Sequence, residues 1–290
     1  MVEIEKTFAE AFEAWYSRVL ITAVNEKWAR IAAAEATGYA TSMIGCDAEA
    51  GIDVFIPVEK TPDNRPGYAI QIWSSKKKIK EALLYRLAQC VLTSPTASIW
   101  NLTESDEKLD IGYKLKYYGD GYERELELYG RKVIAIPIML GEFIVERDIG
   151  IAKGIAGGNF IILAKDVATA LKAGEKAVEA ISKIEGVITP FPGGLCSAGS
   201  KVGSKKYKFM RATTNEKFCP TLANVVKDSK VKDVGAAIEV VINGINEKKV
   251  REAMKHGIEA CLNEEGVKKI TAGNYGGSLG KVLIHLESII

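Results

Sequence analysis

Glu239 lies in AIEVVING, residues 237–244, a run whose apolar residues alternate with the period of a strand. Ile238, Val240 and Ile242 take one face of that strand, and Glu239, Val241 and Asn243 take the other. If the second face is covered, desolvation raises the proton affinity of the carboxylate and suits it to give or take a proton near neutral pH. If it is open, Glu239 is a solvated residue of the kind that half-exposed sheets carry. Upstream, residues 186–220 gather glycines, prolines, hydroxyls and lysines between two regular stretches. Pro190 and Pro192 fix φ on either side of Phe191, while Gly193 and Gly194 can adopt positive φ and let a ligand approach the main chain. Ser200, Lys201, Ser204, Lys205, Lys206 and Lys208 follow, offering hydroxyls and ammonium groups suited to carboxylates or phosphates. The alternative for these lysines is plain solvation. Gly157, Gly158 and Asn159, within GIAGGNF, place main-chain amides just before a strand, where they line either a cleft or a tight turn.

The elements that must position these groups can be read from periodicity. Asn159–Ala164 has strand character, residues 166–184 carry apolar side chains at helical spacing, and Val187–Thr189 starts a strand after Gly186. The pattern recurs as strand 237–243, helix 247–262 and strand 267–271. Two β-α-β units in series predict a split β-α-β sandwich, an antiparallel sheet covered on one face by two helices. The first half repeats the theme with strand 18–23, helix 26–36, strand 68–73 and helix 76–92, followed by glycine-punctuated hairpins over 103–150. The fold class expected is therefore α+β with two ferredoxin-like lobes, residues 1–148 and 149–290, and additional hairpins. TPDNRPG, residues 61–67, reads as a surface excursion.

Composition narrows the chemistry. In 290 residues, 39 basic and 37 acidic side chains nearly cancel, without the positive excess that nucleic-acid binding draws on. An RNA-binding sheet would also need paired aromatics, and Trp73 and Phe160 stand alone in the sequence. Five widely spread cysteines and two histidines form neither a disulfide framework nor metal-ligand spacing, so no metal is expected. His285 reads as an ordinary strand residue. No apolar run approaches the ~20 residues of a membrane span. The N-terminus MVEIEKTFAEAF is acidic and amphipathic, unlike a signal peptide, so a cytoplasmic protein is expected. The glycines of 154–160 and of NYGGSLG, 274–280, do not make a dinucleotide fingerprint, because that motif follows a strand and opens a helix.

Taken together, TFAEAF (7–12), RVLIT (18–22), AEAGI (48–52), QCVLTSPT (89–96), GVITPFPGG (186–194), GSKVGSKKYKF (199–209), TNEKFCPT (214–221) and ITAGNYGGSLGK (270–281) resemble the formylmethanofuran:tetrahydromethanopterin formyltransferases along nearly the whole chain. The resemblance implies reversible formyl transfer between methanofuran and N5 of tetrahydromethanopterin, in archaeal one-carbon metabolism and methanogenesis. It implies no bound prosthetic group, a homotetramer built as a dimer of dimers, and no nucleic acid or membrane partner. It also implies that Glu239 is the strand glutamate that handles the proton, and that the glycine amides at 193 and 194, or 157 and 158, are oxyanion donors. Lys201, Lys205, Lys206 and Lys208 would meet the anionic tails of the carriers. Gly45, Asp47, Ala40, Ala88 and LCSAGS (195–200) depart from the family pattern, Asp47 standing where proline is usual. A paralogue that binds the carriers with altered substrate or without turnover is the alternative reading.

Overall fold

The computed structural model describes residues 2–290 and divides into two compact units, one holding the chain up to Glu13 together with Gly154–Ile290, the other Ala14–Lys153. The first thirteen residues therefore belong with the second half of the chain, not with the first lobe expected over 1–148. The reason is burial. Phe8–Ala11 pairs antiparallel with Val282–His285, and Glu3–Ile4 pairs parallel with Lys269–Ile270. Ala9 and Ala11 are fully buried in that unit's core.

In the unit that carries the second half, the strands Val267–Thr271, Ala152–Ala164, Ala236–Gly244 and Val187–Ile188 lie side by side in that order, each antiparallel to its neighbour. This is the split β-α-β order that two β-α-β units in series demand. The helices Val167–Ile181 and Glu247–Leu262 cover one face of the sheet. Ala173, Ala177, Ile181, Val250, Met254 and Ile258 pack there against Phe160, Ile162, Val240 and Ile242. Each helix begins with a side-chain cap, Asp166 accepting from the Thr169 amide at 2.8 Å and Asn246 from the Lys249 amide at 2.9 Å. Gly186 and Gly266, at the matching turns that lead back to the sheet, have φ of +91° and +96°, where a side chain would be strained.

The other face of this sheet decides the fate of Glu239. Residues 196–235 cross it as an irregular segment, and Val231, Phe218, Ala223 and Val234 pack on Ile161, Leu163 and Ala237. The sheet is thus covered on both sides, by helices on one and by this long loop on the other.

The unit Ala14–Lys153 repeats the strand order with Ser98–Asn101, the part of Phe8–Thr22 from Ala14 onward, Gly67–Ser74 and Glu49–Ile56, and the helices Glu26–Thr37 and Ile79–Arg86. Two of those strands, Glu49–Ile56 and Ser98–Asn101, were not visible in the sequence pattern. Glu49 and Asp53 interrupt the first, yet both are buried, and Asp53 accepts from the Arg18 guanidinium at 2.7 Å and the Gln71 amide at 2.8 Å. The second is only four residues long. The hairpin strands Arg124–Leu128, Arg131–Ile138 and Gly141–Glu146 extend the sheet, as the glycines between them suggest. Trp73 is not alone, because it stacks on Tyr16 with ring centroids 4.9 Å apart, but both rings are buried and offer no platform for bases. The 61–67 loop is tied down too, Arg65 donating to Asp63, to the Thr96 carbonyl and to Ser98.

Asp47 finds its use in this unit. Its carboxylate receives both terminal nitrogens of the buried Arg86, at 2.5 and 2.8 Å, and the Arg86 guanidinium holds it below the usual aspartate range. Asp47→Ala leaves that guanidinium with the Ala82 carbonyl as its remaining acceptor and, since Asp47 is half-exposed and screened by water, is expected to lower stability by about 1 kcal/mol at neutral pH. A depressed carboxyl pKa contributes stability above its unfolded value and loses it as pH falls through the folded one. The deficit seen by urea unfolding should therefore shrink on acidification, and an equal deficit at both pH values would rule the ion pair out as its cause.

Candidate functional site

Glu239 sits at the fourth position of Ala236–Gly244, directly opposite Ile161 on the central strand, with its side chain on the loop-covered face. It is 3% exposed. Cys196 extends the sheet locally, its amide donating to the Glu239 carbonyl at 2.8 Å and its carbonyl accepting from the Glu239 amide at 3.2 Å. The chain then turns so that Ser200 faces the carboxylate. The Ser200 amide donates to Oε2 at 2.6 Å and its hydroxyl donates to Oε1 at 2.7 Å. Burial pushes the Glu239 carboxyl above the usual glutamate range, with the two Ser200 hydrogen bonds pulling part of the way back. A small pocket is lined by Glu239 together with Cys196, Gly199, Asn215, Phe218 and Ala237.

Asn159 and Gly273 close another side. The Asn159 side chain accepts from the Gly273 amide at 2.6 Å and donates to the Gly273 and Gly157 carbonyls at 3.1 Å each. A Cβ at Gly273 would stand 3.2 Å from Asn159 Oδ1, a tight contact, and 3.5 Å from Glu239 Oε1, so this residue borders the carboxylate directly. Tyr275, two residues on, accepts from the Val202 amide at 2.7 Å and donates to the Ser200 carbonyl at 3.2 Å.

Of the groups singled out in the sequence, the structure brings Glu239, Ser200 and Asn159 together. It does not bring the Pro190–Gly194 turn to them. Gly193 and Gly194 adopt φ of +60° and +80°, but a Cβ at Gly194 would lie 2.7 Å from Val178, so the turn packs on the Val167–Ile181 helix, on the other side of the sheet. The Gly194 amide is already donated to the Phe191 carbonyl at 2.8 Å, and the Gly157 amide to Asn243 at 3.0 Å. Gly158 has a packing role, since a Cβ there would stand 2.3 Å from Val250. Lys201 and Lys205 both bind Glu216, the latter at 2.7 Å, and together they hold that carboxyl at about 2. Ser204 caps a local turn by accepting from the Tyr207 amide at 2.9 Å. Lys206 and Lys208 are exposed and, among the described residues, form no ion pair. Gly273 and Tyr275 went unrecognised in the sequence, where the dense glycines of 273–280 were the available signal.

Family models match both halves of the chain, formylmethanofuran-tetrahydromethanopterin formyltransferase over residues 1–138 and its proximal lobe over residues 141–289. The chain belongs to this formyltransferase family. It is 58% identical to the formylmethanofuran–tetrahydromethanopterin formyltransferase of Methanocaldococcus jannaschii and 57% identical to that of Methanothermus fervidus, covering 99% of this chain and 98% of each relative. The solved formyltransferase of Methanosarcina barkeri superposes with a TM-score of 0.96 at 50% identity, over 100% of this chain and 98% of that one. The formyltransferase/hydrolase complex of Methylorubrum extorquens, solved with methylofuran, gives 0.94 at 38% identity over 99% of this chain and 96% of the matched one. Among the described residues, no cluster of three or more His, Cys, Asp or Glu is placed to hold a metal ion, and no helix is long and apolar enough to cross a membrane.

The raised proton affinity of Glu239 has a measurable sign. A carboxyl whose folded pKa exceeds its unfolded one contributes stability at low pH that is lost as pH rises through the folded value. Glu239→Gln, which cannot ionise, should gain stability relative to the parent protein as pH rises from below the ordinary glutamate value of 4.5. Thermal melts of the two proteins that stay parallel across that range would mean the carboxylate is not desolvated.

Proposed function

We propose that this protein transfers a formyl group reversibly between formylmethanofuran and N5 of tetrahydromethanopterin, and that Glu239 moves the proton. The observation that carries the reading is a glutamate 3% exposed, its carboxylate held by Ser200, lining a pocket in a chain more than half identical to enzymes of that name.

The chemistry asks for little else. The pterin amine attacks the formamide carbon, an N–C bond forms, and the carbonyl oxygen becomes an oxyanion. The attacking nitrogen must then lose a proton and the departing methanofuran nitrogen must gain one as its bond to carbon breaks. A carboxylate with raised proton affinity can accept the first and return the second, ending in its starting state. Ser200 holds both carboxylate oxygens, which fixes the carboxylate plane relative to the pocket. Much of the rate then comes from holding two large carriers in contact, which converts a bimolecular attack into an effectively intramolecular one. Lys206 and Lys208, exposed and outside the Glu216 cluster, are the lysines available to the carriers' anionic tails. A homotetramer, a cytoplasmic location in an archaeal cell, and catalysis without a bound prosthetic group belong to the same reading.

The test is to mix purified protein with formylmethanofuran and tetrahydromethanopterin and follow the formylpterin. Turnover is expected, and carrier binding without turnover would favour the paralogue. Glu239→Gln should reduce kcat by about 100-fold or more, the usual span for loss of a general acid or base. An unchanged kcat would remove Glu239 from the mechanism.

A further inference from the structure

Glu10 is another buried carboxylate in the unit that holds Glu239, 7% exposed, and formyl transfer through Glu239 makes no use of it. It lies on Phe8–Thr22, under the glycine-rich loop 273–280. Its Oε2 accepts from the Tyr275 and Gly277 amides at 2.7 and 2.9 Å, and its Oε1 from the Gly280 amide at 2.6 Å and from the Leu279 amide. Gly276 and Gly277 adopt φ of +68° and +78°, which turns successive amides inward to form an anion-binding nest. The occupant is the protein's own glutamate. Burial alone would raise the Glu10 carboxyl, but the amides lower it below the usual glutamate range, so it is charged at neutral pH.

We propose that Glu10 is a positioning residue for Glu239: by gathering the 273–280 amides it sets Tyr275, whose hydroxyl joins the Ser200 carbonyl to the Val202 amide and so holds the Ser200 turn closed over the Glu239 carboxylate. This rests on the reading that Glu239 handles the proton. The links are continuous, each a hydrogen bond between 2.6 and 3.2 Å apart from the short Leu279 contact: Glu10 to the Tyr275 amide, Tyr275 hydroxyl to residues 200 and 202, Ser200 to both oxygens of Glu239. Gly273, which borders Glu239 directly, stands at the entry to the same loop. A carboxylate accepting four amides stiffens a glycine-rich loop that is otherwise conformationally free. The loop in turn keeps water from the catalytic carboxylate. The titratable groups facing Glu239 are the Cys196 thiol, pushed up to about 11 by burial and by the Glu239 charge, and the Tyr275 hydroxyl, raised by burial.

Two variants test this. Glu10→Gln keeps the size of the side chain but offers one acceptor oxygen in place of two. Tyr275→Phe keeps all four amides on Glu10, keeps its charge, and removes only the hydroxyl. Hydrogen–deuterium exchange on the resting protein should show residues 199–204 exchanging at least about tenfold faster in both variants, and residues 275–280 faster only in Glu10→Gln. In formyl transfer, kcat should fall about 10- to 100-fold in both, the scale of misplacing a catalytic group by about 1 Å, with KM little changed. The pH limb governed by Glu239 should move to lower pH as water reaches the carboxylate. Tyr275→Phe separates this from the loss of a nearby negative charge, which would also lower that limb in Glu10→Gln alone. Unchanged exchange at 199–204 together with an unmoved pH limb in Tyr275→Phe would overturn the proposal, even if Glu10→Gln fails to fold. If the parent protein transfers no formyl group, the functional reading fails by itself, and the exchange data still decide whether Glu10 sets the Ser200 turn.

Discussion

The structure depends on a carboxylate that is buried without a compensating cation. Among the described residues, Glu239 receives only the neutral donors of Ser200, so its ionised form is poorly supported and its proton is held more tightly than usual. Two other shielded carboxylates in the same unit are treated in the opposite way. Glu216 has two ammonium groups and titrates at about 2. Glu10 has four amides and is lowered as well. The unit thus holds three carboxylates of one chemical type in three environments, and the one left short of donors is the one whose proton affinity is raised.

That environment is made by covering both faces of one sheet. The helices Val167–Ile181 and Glu247–Leu262 bury Val240 and Ile242, and the irregular stretch 196–235 buries Glu239 and its neighbours on the reverse. The unit Ala14–Lys153 uses the same strand order, and one of its two buried carboxylates, Asp53, accepts from Arg18 and Gln71. The architecture therefore occurs twice, and the carboxylate at Glu239 and the one at Asp53 are surrounded by different donors. Fold and chemistry are separable in this chain, because the strand order fixes where a side chain stands while the donors around it fix what it does.

Local periodicity made the β-α-β units of the second half legible, since apolar spacing within one element reports which face is buried whatever packs on it. It failed at Glu49–Ile56, where buried Glu49 and Asp53 break the alternation, and the Asp53 partners Arg18 and Gln71 lie 35 and 18 residues away. The catalytic candidate was visible as a charge out of place in AIEVVING. Its partners were only partly so. Ser200 and Asn159 stood out by type, but Gly273 and Tyr275 were hidden in a loop whose glycines matched no motif, and the Lys201 and Lys205 pairing with Glu216 has no local signature.

The sequence by itself determined the family, the α+β class, the helices and most of the strands, and the identity of the one glutamate set in an apolar strand, because these follow from residue type and short-range spacing. Tertiary structure alone decided that the N-terminal thirteen residues join the second half, that the face bearing Glu239 is closed, and that the amides of Gly157 and Gly194 are already engaged. Each of those outcomes turns on which distant segments exclude water from a group, and water exclusion is a property of the packed chain, not of any window along it.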